Sequence, residues 1–242
     1  MREWQRVDDE IDLWRVDYPL AHHSDDPARV ATSCVVRWGN GELMLISPPK
    51  VPEISELYDA LDELGTVTAI VPPCGFHRAG LPDAQKRYPE AWLYSDERNK
   101  KRICKVCPHP ERWRPLSELQ EQLPEHIECF VPPHLKNPDT MVRIHTSKGT
   151  LWYVNDLITN FPSLPRNPFL RLFIWMLRFK EGLAVNFLGG RVVLVKDRKA
   201  FSTWFQEELT KYPPTLWVPG HGPVVREPDI LATLPHMVKE GF

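Results

Sequence analysis

The sequence predicts an α/β fold. Short apolar runs of strand character alternate along the chain with segments whose apolar residues recur at helical spacing. The runs end in Pro- and Gly-containing turns, the places where α/β proteins carry their chemistry. At 242 residues with a hydrophobic fraction of 42%, the chain is ample for one α/β domain with a large core, or for two small domains. It shows no internal repeat at a fixed period and no clean domain boundary, so residues 1–242 are read as a single domain.

The elements follow in order. Residues 11–17 alternate apolar with polar, as a half-buried strand should, and Thr32 to Trp38 is a second strand. Gly39-Asn40-Gly41 signals a tight turn, and Glu42 to Ser47 returns as the hairpin partner. Ile54, Leu57, Tyr58, Leu61 and Leu64 mark a helix that Gly65 stops. Val67 to Val71 is a buried strand. Leu81 to Tyr88 reads as a helix and Ala91 to Tyr94 as a strand. The charged, Pro-punctuated stretch 95–126 holds one helix, at Pro115–Gln122. Ile127 to Val131 is a strand, and Met141 to His145 pairs with Thr150 to Val154 as a hairpin. Arg198 to Lys211 is amphipathic, with Phe201, Trp204, Phe205 and Leu209 on one face, and Thr215 to Val218 is the last strand.

Composition excludes several classes. Net charge is −2, from Lys+Arg 30 against Asp+Glu 32, so no general basicity argues for a nucleic-acid partner. Pro, at 25 residues, is about twice its usual share of roughly 5%, which with Gly at only 12 indicates rigid, Pro-edged loops. Met1 to Arg6 has no apolar signal core, and no run approaches the ~18 apolar residues of a membrane span. Five cysteines, an odd number, fit reduced thiols in the cytoplasm better than a disulfide framework.

Four strand-end turns carry a His or an Asp: Pro72–His77, Pro132–His134, Asn155-Asp156 and Pro219–Pro223, the last containing His221. If their strands share a sheet, the turns converge on one cleft. Imidazole with carboxylate is the ligand set of zinc, iron or manganese. Any one of these residues alone is more often structural or solvated.

The order of elements and the closing Val218-Pro219-Gly220-His221-Gly222-Pro223 resemble the metallo-β-lactamase superfamily, whose last metal ligand lies in such a PGHG turn. The resemblance runs from about Asp12 to Val225. It implies an αββα sandwich of two mixed sheets flanked by helices, with metal at one edge. Under it, Asp156 is similar to the carboxylate that bridges two metals, and His134 to the lone histidine preceding that strand pair. His145 competes for the latter role from inside a predicted strand. Thr150-Leu151, Asp156-Leu157 and Lys196-Asp197-Arg198 resemble a branch of the superfamily with a degenerate HxHxDH motif.

That motif should stand at residues 69–80, and here the sequence departs. With His77 as the final histidine, Phe76 replaces the aspartate, and Cys74 and Pro72 replace the first two histidines. Cys74 could ligate as thiolate; Pro72 and Phe76 cannot. The resemblance then implies a reduced, one-metal hydrolase of a small ester, lactone or thioester, with zinc, or else iron or manganese. His77, Asp156 and His221 would hold the metal, His134 would assist, and a metal-activated water would attack. The other expectation is a metal-free binding protein that kept the sandwich.

Three further features stand apart. Cys104-x-x-Cys107 with His126-x-x-Cys129 has the spacing of a small structural zinc site, against the reading of a buried strand thiol and two loop thiols. Segment 168–179 is very apolar and is expected as a core or homodimer-interface helix, with a hydrophobic substrate cleft or an interfacial anchor as alternatives. Arg98 to Arg102 reads as a solvated basic loop. No Gly-rich phosphate loop and no GxSxG elbow is present.

Overall fold

The computed structural model describes residues 2–19, 30–163, 168–169, 171–172, 180–185, 192–227 and 229–241, with backbone alone at 231, 235, 239 and 240. The chain divides into two compact units, Met1–Tyr18 with Thr32–Phe130 and Pro19–Ala31 with Val131–Phe242.

In the first unit, β1 (Gln5–Asp8) pairs antiparallel with β2 (Ile11–Pro19). β3 (Val30–Arg37) and β4 (Glu42–Ile46) form the predicted hairpin, with Val35 opposite Leu45. Its turn is closed by the Trp38 N–H on the Glu42 carbonyl at 2.9 Å, through Gly39, Asn40 and Gly41 at φ 58°, 35° and 80°. Only Gly and Asn enter that region cheaply. Each later strand is parallel to its neighbour and is reached over a helix: α1 (Ile54–Leu64) leads to β5 (Thr66–Val71), α2 (Leu81–Arg87) to β6 (Trp92–Ser95), and α3 (Glu97–Cys104) to β7 (Trp113–Pro115). Spatial order in this seven-stranded sheet is therefore sequence order, β1 through β7. Leu43, Leu45, Tyr58, Leu61, Ile70 and Leu93 meet in one core. Each such side chain contributes about 1.5–3 kcal/mol on burial.

Helix α4 (Leu116–Gln120) and strand β8 (Ile127–Phe130) lie where expected. Stretch 95–126 holds more order than its charge suggests. The Arg98–Arg102 cluster is in helix α3, not a loop: Asp96 caps it by accepting the Arg98 N–H at 2.9 Å, and Asn99 and Ile103 give it a buried side.

In the second unit, β9 (Met141–Thr146) and β10 (Gly149–Val154) form the predicted antiparallel hairpin. β10 lies parallel to β13 (Pro214–Pro219), which pairs with β14 (Val225–Arg226). Within this unit the strand order is β14-β13-β10-β9, and β11 (Ile158–Phe161) pairs separately with β12 (Gly182–Val185). Helix α5 (Arg198–Lys211) starts at Asp197, whose carboxylate accepts the Ala200 N–H at 3.1 Å. It buries Phe201, Phe205 and Leu209, and Phe205 meets Trp152 at 5.8 Å between ring centres. Trp152 in turn stacks on Trp217 at 6.0 Å. The strand containing Thr215 to Val218 is not the last element, since β14 and helix α6 (Asp229–Gly241) follow it.

The four strand ends singled out above do not share a sheet. β5 belongs to the seven-stranded sheet of the first unit, while β10 and β13 pair in the second. The expectation for 168–179 falls largely outside the described residues; of the four described there, Phe169 and Leu172 are exposed. Among the described residues no helix is long and apolar enough to cross a membrane.

Candidate functional site

The second unit gathers two of the sequence candidates into one network. Asp156 ends the run from β10, and His221 sits in the turn after β13, the strand parallel to it. Their side chains meet, His221 Nε2 lying 2.9 Å from Asp156 Oδ1. The other ring nitrogen, Nδ1, lies 2.8 Å from the Val30 carbonyl oxygen. That oxygen can only accept, so Nδ1 carries a proton and donates it. Nε2 of a neutral ring is then a lone pair facing a carboxylate oxygen. Two acceptors in contact require a cation between them or on one of them, whether a proton or a metal ion.

The turn is shaped for this placement. Gly220 N–H donates to the Val154 carbonyl at 2.8 Å, tying the turn to the end of β10. A Cβ at Gly220 would lie 2.4 Å from Asn155 Oδ1, and one at Gly222, where φ is +100°, would lie 1.6 Å from the Asn160 carbonyl oxygen. Asn160 N–H donates to the His221 carbonyl at 2.8 Å, and the Phe161 ring stacks on the imidazole at 5.9 Å. The PGHG sequence thus has a steric reason here: no side chain fits at either glycine.

Beneath the pair lies Asp139, which the sequence reading missed. It is fully buried, and its carboxyl accepts Asn155 Nδ2 at 3.0 Å and the backbone N–H groups of Asp156 at 2.9 Å and Leu157 at 3.1 Å. Three donors on one carboxylate fix the backbone that aims Asp156. Burial and the neighbouring Asp156 charge raise the Asp139 pKa well above the ordinary 3.8, against the pull of those donors. For His221, burial alone opposes charging, but Asp156, the Val30 carbonyl and Asp139 together outweigh it and raise its pKa above the ordinary 6.5. Nothing in Asn137-Pro138-Asp139-Thr140 marks this aspartate, since its partners come from sequence positions sixteen and more away.

His134 is exposed and left-handed at φ 63°, and its carbonyl is the engaged group, accepting the Lys196 N–H at 2.7 Å. Among the described residues its ring joins no group of three ligand side chains. His145, the competitor, is half-buried in β9 and packs on Tyr212 at 5.1 Å between rings.

In the first unit, the turn after β5 buries Pro72, Pro73, Cys74 and Gly75 and leaves Phe76 exposed. His77 is half-buried, with Nδ1 3.0 Å from Ser47 Oγ. Ser47, another residue the sequence did not flag, follows β4 in a left-handed conformation at φ 53°. Its N–H donates to the Val71 carbonyl at 3.0 Å, and its hydroxyl also lies 3.4 Å from the Tyr18 hydroxyl. The hydroxyl is thus a hydrogen-bond partner that orients the imidazole.

The Cys104/Cys107/His126/Cys129 zinc expectation is not met: among the described residues these side chains form no ligand group. Cys129 is buried within β8, Cys107 Sγ contacts the Ile103 carbonyl at 3.2 Å, and His126 is exposed. Burial pushes the thiols of Cys107 and Cys129 up to about 12.

The unit's donor set fits a divalent ion. His221 presents Nε2 with its other nitrogen held by a backbone carbonyl, beside a carboxylate, above a second buried carboxyl.

No protein-family model matches the sequence, and no curated protein matches it. Solved structures do match. The metallo-β-lactamase DIM-1 superposes with a TM-score of 0.64 at 12% identity, covering 100% of this chain and 98% of its own. The metallo-β-lactamase from Pontibacter korlensis gives 0.58 at 14% identity, with 99% of both chains covered. A flavo di-iron protein from Thermotoga maritima gives 0.62 at 14% identity, matching 99% of this chain but 61% of its own. The similarity spans the whole chain, with its mixed sheets and flanking helices: the protein has the metallo-β-lactamase fold.

Proposed function

We propose that the protein is a metal-dependent hydrolase of small esters, lactones or thioesters, working as one domain over residues 1–242 with a reduced, one-metal site. The observation that carries this reading is His221: its Nδ1 proton is committed to the Val30 carbonyl, which turns Nε2 toward Asp156 Oδ1 at 2.9 Å. Asp156 and His221 would supply a carboxylate oxygen and an imidazole nitrogen to the ion. The superfamily resemblance adds His77 as a further ligand and His134 as an assisting one, and zinc, iron or manganese as the metal. When bound, the ion supplies a Lewis acid that polarises the substrate carbonyl and lowers the pKa of water. The chain's own residues do the rest. Asp139 fixes the Asp156 backbone, Ser47 orients His77, and Phe161 covers one face of His221. Hydrolysis adds water across the acyl bond, giving a carboxylic acid and an alcohol or thiol.

A second reading has its own observation. A separation of 2.9 Å is also that of an ordinary N–H···O bond, so a doubly protonated His221 would close the pair without metal. The protein would then be a binding protein that kept the fold. Elemental analysis of protein purified without added metal, beside an Asp156→Ala, His221→Ala variant, separates the two. Near-stoichiometric metal lost in the variant supports the hydrolase. Trace metal equal in both overturns it.

A further inference from the structure

The turn after β5 carries side chains that the proposed metal chemistry does not use. Phe76 is 53% exposed, although Pro72 to Gly75 just before it are buried. Two arginines stand with it. Arg102, in the last turn of α3, lays its guanidinium over the Phe76 ring, with Cζ 5.2 Å from the centroid. Arg78 Nη1 donates to the Arg102 carbonyl at 2.8 Å. Helix α3 presses against the turn: a Cβ on Gly75 would lie 3.0 Å from Arg102 Cδ and 3.1 Å from Asn99 Oδ1. His77 lies between Phe76 and Arg78 in the chain, its ring held by Ser47.

The neighbouring cations have partners of their own. Arg98 is paired with Asp96 and Lys100 lies on the Trp113 ring at 3.8 Å. Among the described residues no carboxylate pairs with Arg78 or Arg102. Two like charges brought to one turn repel unless an anion joins them. Guanidinium on an aromatic face keeps its N–H edge available, and that planar fork matches a carboxylate. The exposed ring offers apolar surface at the same place. No glycine-rich loop surrounds it, which favours a carboxylate over a phosphoryl group.

We propose that Phe76, Arg78 and Arg102 form a recognition subsite for an organic carboxylate joined to an apolar group. As a statement about substrate, an acyl compound carrying a free carboxylate, it rests on the hydrolase reading; as an anion site it does not.

The test uses two esters with one leaving group. Para-nitrophenyl hemisuccinate carries the carboxylate, and para-nitrophenyl butyrate lacks it. The full-length protein, loaded with zinc, is expected to prefer the hemisuccinate in kcat/KM by about tenfold, the scale of one charge-assisted hydrogen bond. Arg78→Ala and Arg102→Ala should bring the ratio toward one, and Arg102→Lys should fall between. Lys105→Ala, one residue past α3, should leave the ratio unchanged. Calorimetry with phenylacetate reads the subsite without catalysis: binding should be saturable, weaken about tenfold in Arg102→Ala, and fall with ionic strength. Circular dichroism verifies that each variant folds. Phenylacetate binding without turnover of either ester keeps the subsite and overturns the hydrolase. Equal turnover of both esters without phenylacetate binding keeps the hydrolase and overturns the subsite. An equal loss in Lys105→Ala and Arg102→Ala also overturns it, as does tighter binding of phenyl phosphate than of phenylacetate.

Discussion

His221 Nε2 lies 2.9 Å from Asp156 Oδ1 while its opposite nitrogen donates to the Val30 carbonyl at 2.8 Å. The ring is thus held at both ends, and whatever sits between Nε2 and the carboxylate sets how the site responds to pH. Without metal, the raised His221 pKa means the folded state holds its proton longer than the unfolded chain does. That contribution is fully present below the unfolded value near 6.5 and is lost as pH rises through the folded one. Asp139, also raised, acts in the same direction: the unfolded carboxyl ionises first, so stability falls as pH climbs above the ordinary 3.8. Metal-free protein should therefore lose stability in urea as pH is raised from mildly acidic through neutral. His221→Gln should remove the part of that loss beginning near 6.5. A His221→Gln curve that parallels wild type would show that the pair does not titrate.

Metal binding should have the opposite slope. An ion at His221 competes with the proton on Nε2, so apparent affinity should rise with pH across the range where the metal-free protein weakens. Zinc titrations followed by calorimetry in buffers of differing ionisation enthalpy would count the proton released. Binding with no proton release would place the ion away from His221.

Asp139→Ala should be costly out of proportion to its size. It strands Asn155 Nδ2 and two backbone N–H groups in a dry interior. With each orphaned donor costing about 1–3 kcal/mol, the variant should lose about 3 kcal/mol or more in chemical unfolding. Asp139→Asn, which keeps one acceptor oxygen, should lose less.

Most of the framework is legible in the sequence because it depends on local signals. The hairpin turn at Gly39-Asn40-Gly41, the Leu57–Leu61 stripe and the Asp197 cap each sit within a few residues of what they control. The site is less legible because its contacts are long-range. Asp139 finds its partners across a hairpin, and the Val30 carbonyl meets a histidine 191 positions away. Helix α3 was hidden for another reason: its run of Arg and Lys lowers its hydrophobic signal, while Asp96 and two inward residues are enough to form it. His134 is a further case: its left-handed backbone and the bond its carbonyl accepts from the Lys196 N–H depend on a residue 62 positions on, which no local signal announces.

The glycines flanking His221 give a steric prediction. Gly222→Ala places a methyl 1.6 Å from the Asn160 carbonyl oxygen at φ +100°, so the turn must move. About 3 kcal/mol or more of stability should be lost, with the Phe161–His221 stacking disrupted. A near-neutral thermal shift would mean that the turn tolerates a different backbone path.

The tryptophans in the second core separate two contributions to burial. Trp152 and Trp217 stack at 6.0 Å and both are fully buried, so trimming either to Phe removes similar apolar area. Their polar ends differ. Trp152 Nε1 donates to the Tyr212 carbonyl at 3.0 Å, whereas Trp217 Nε1 has no hydrogen-bond partner among the described residues. Trp152→Phe leaves that carbonyl without its donor and also loses packing, at a cost of about 2–4 kcal/mol. Trp217→Phe loses the same packing but frees the folded state of an unpaired buried N–H, which offsets about 1–3 kcal/mol. Chemical unfolding should therefore rank Trp217→Phe clearly the milder of the two. If both variants lose the same stability, the Trp217 N–H is satisfied in solution, by a buried water in hydrogen-bond reach of its indole nitrogen.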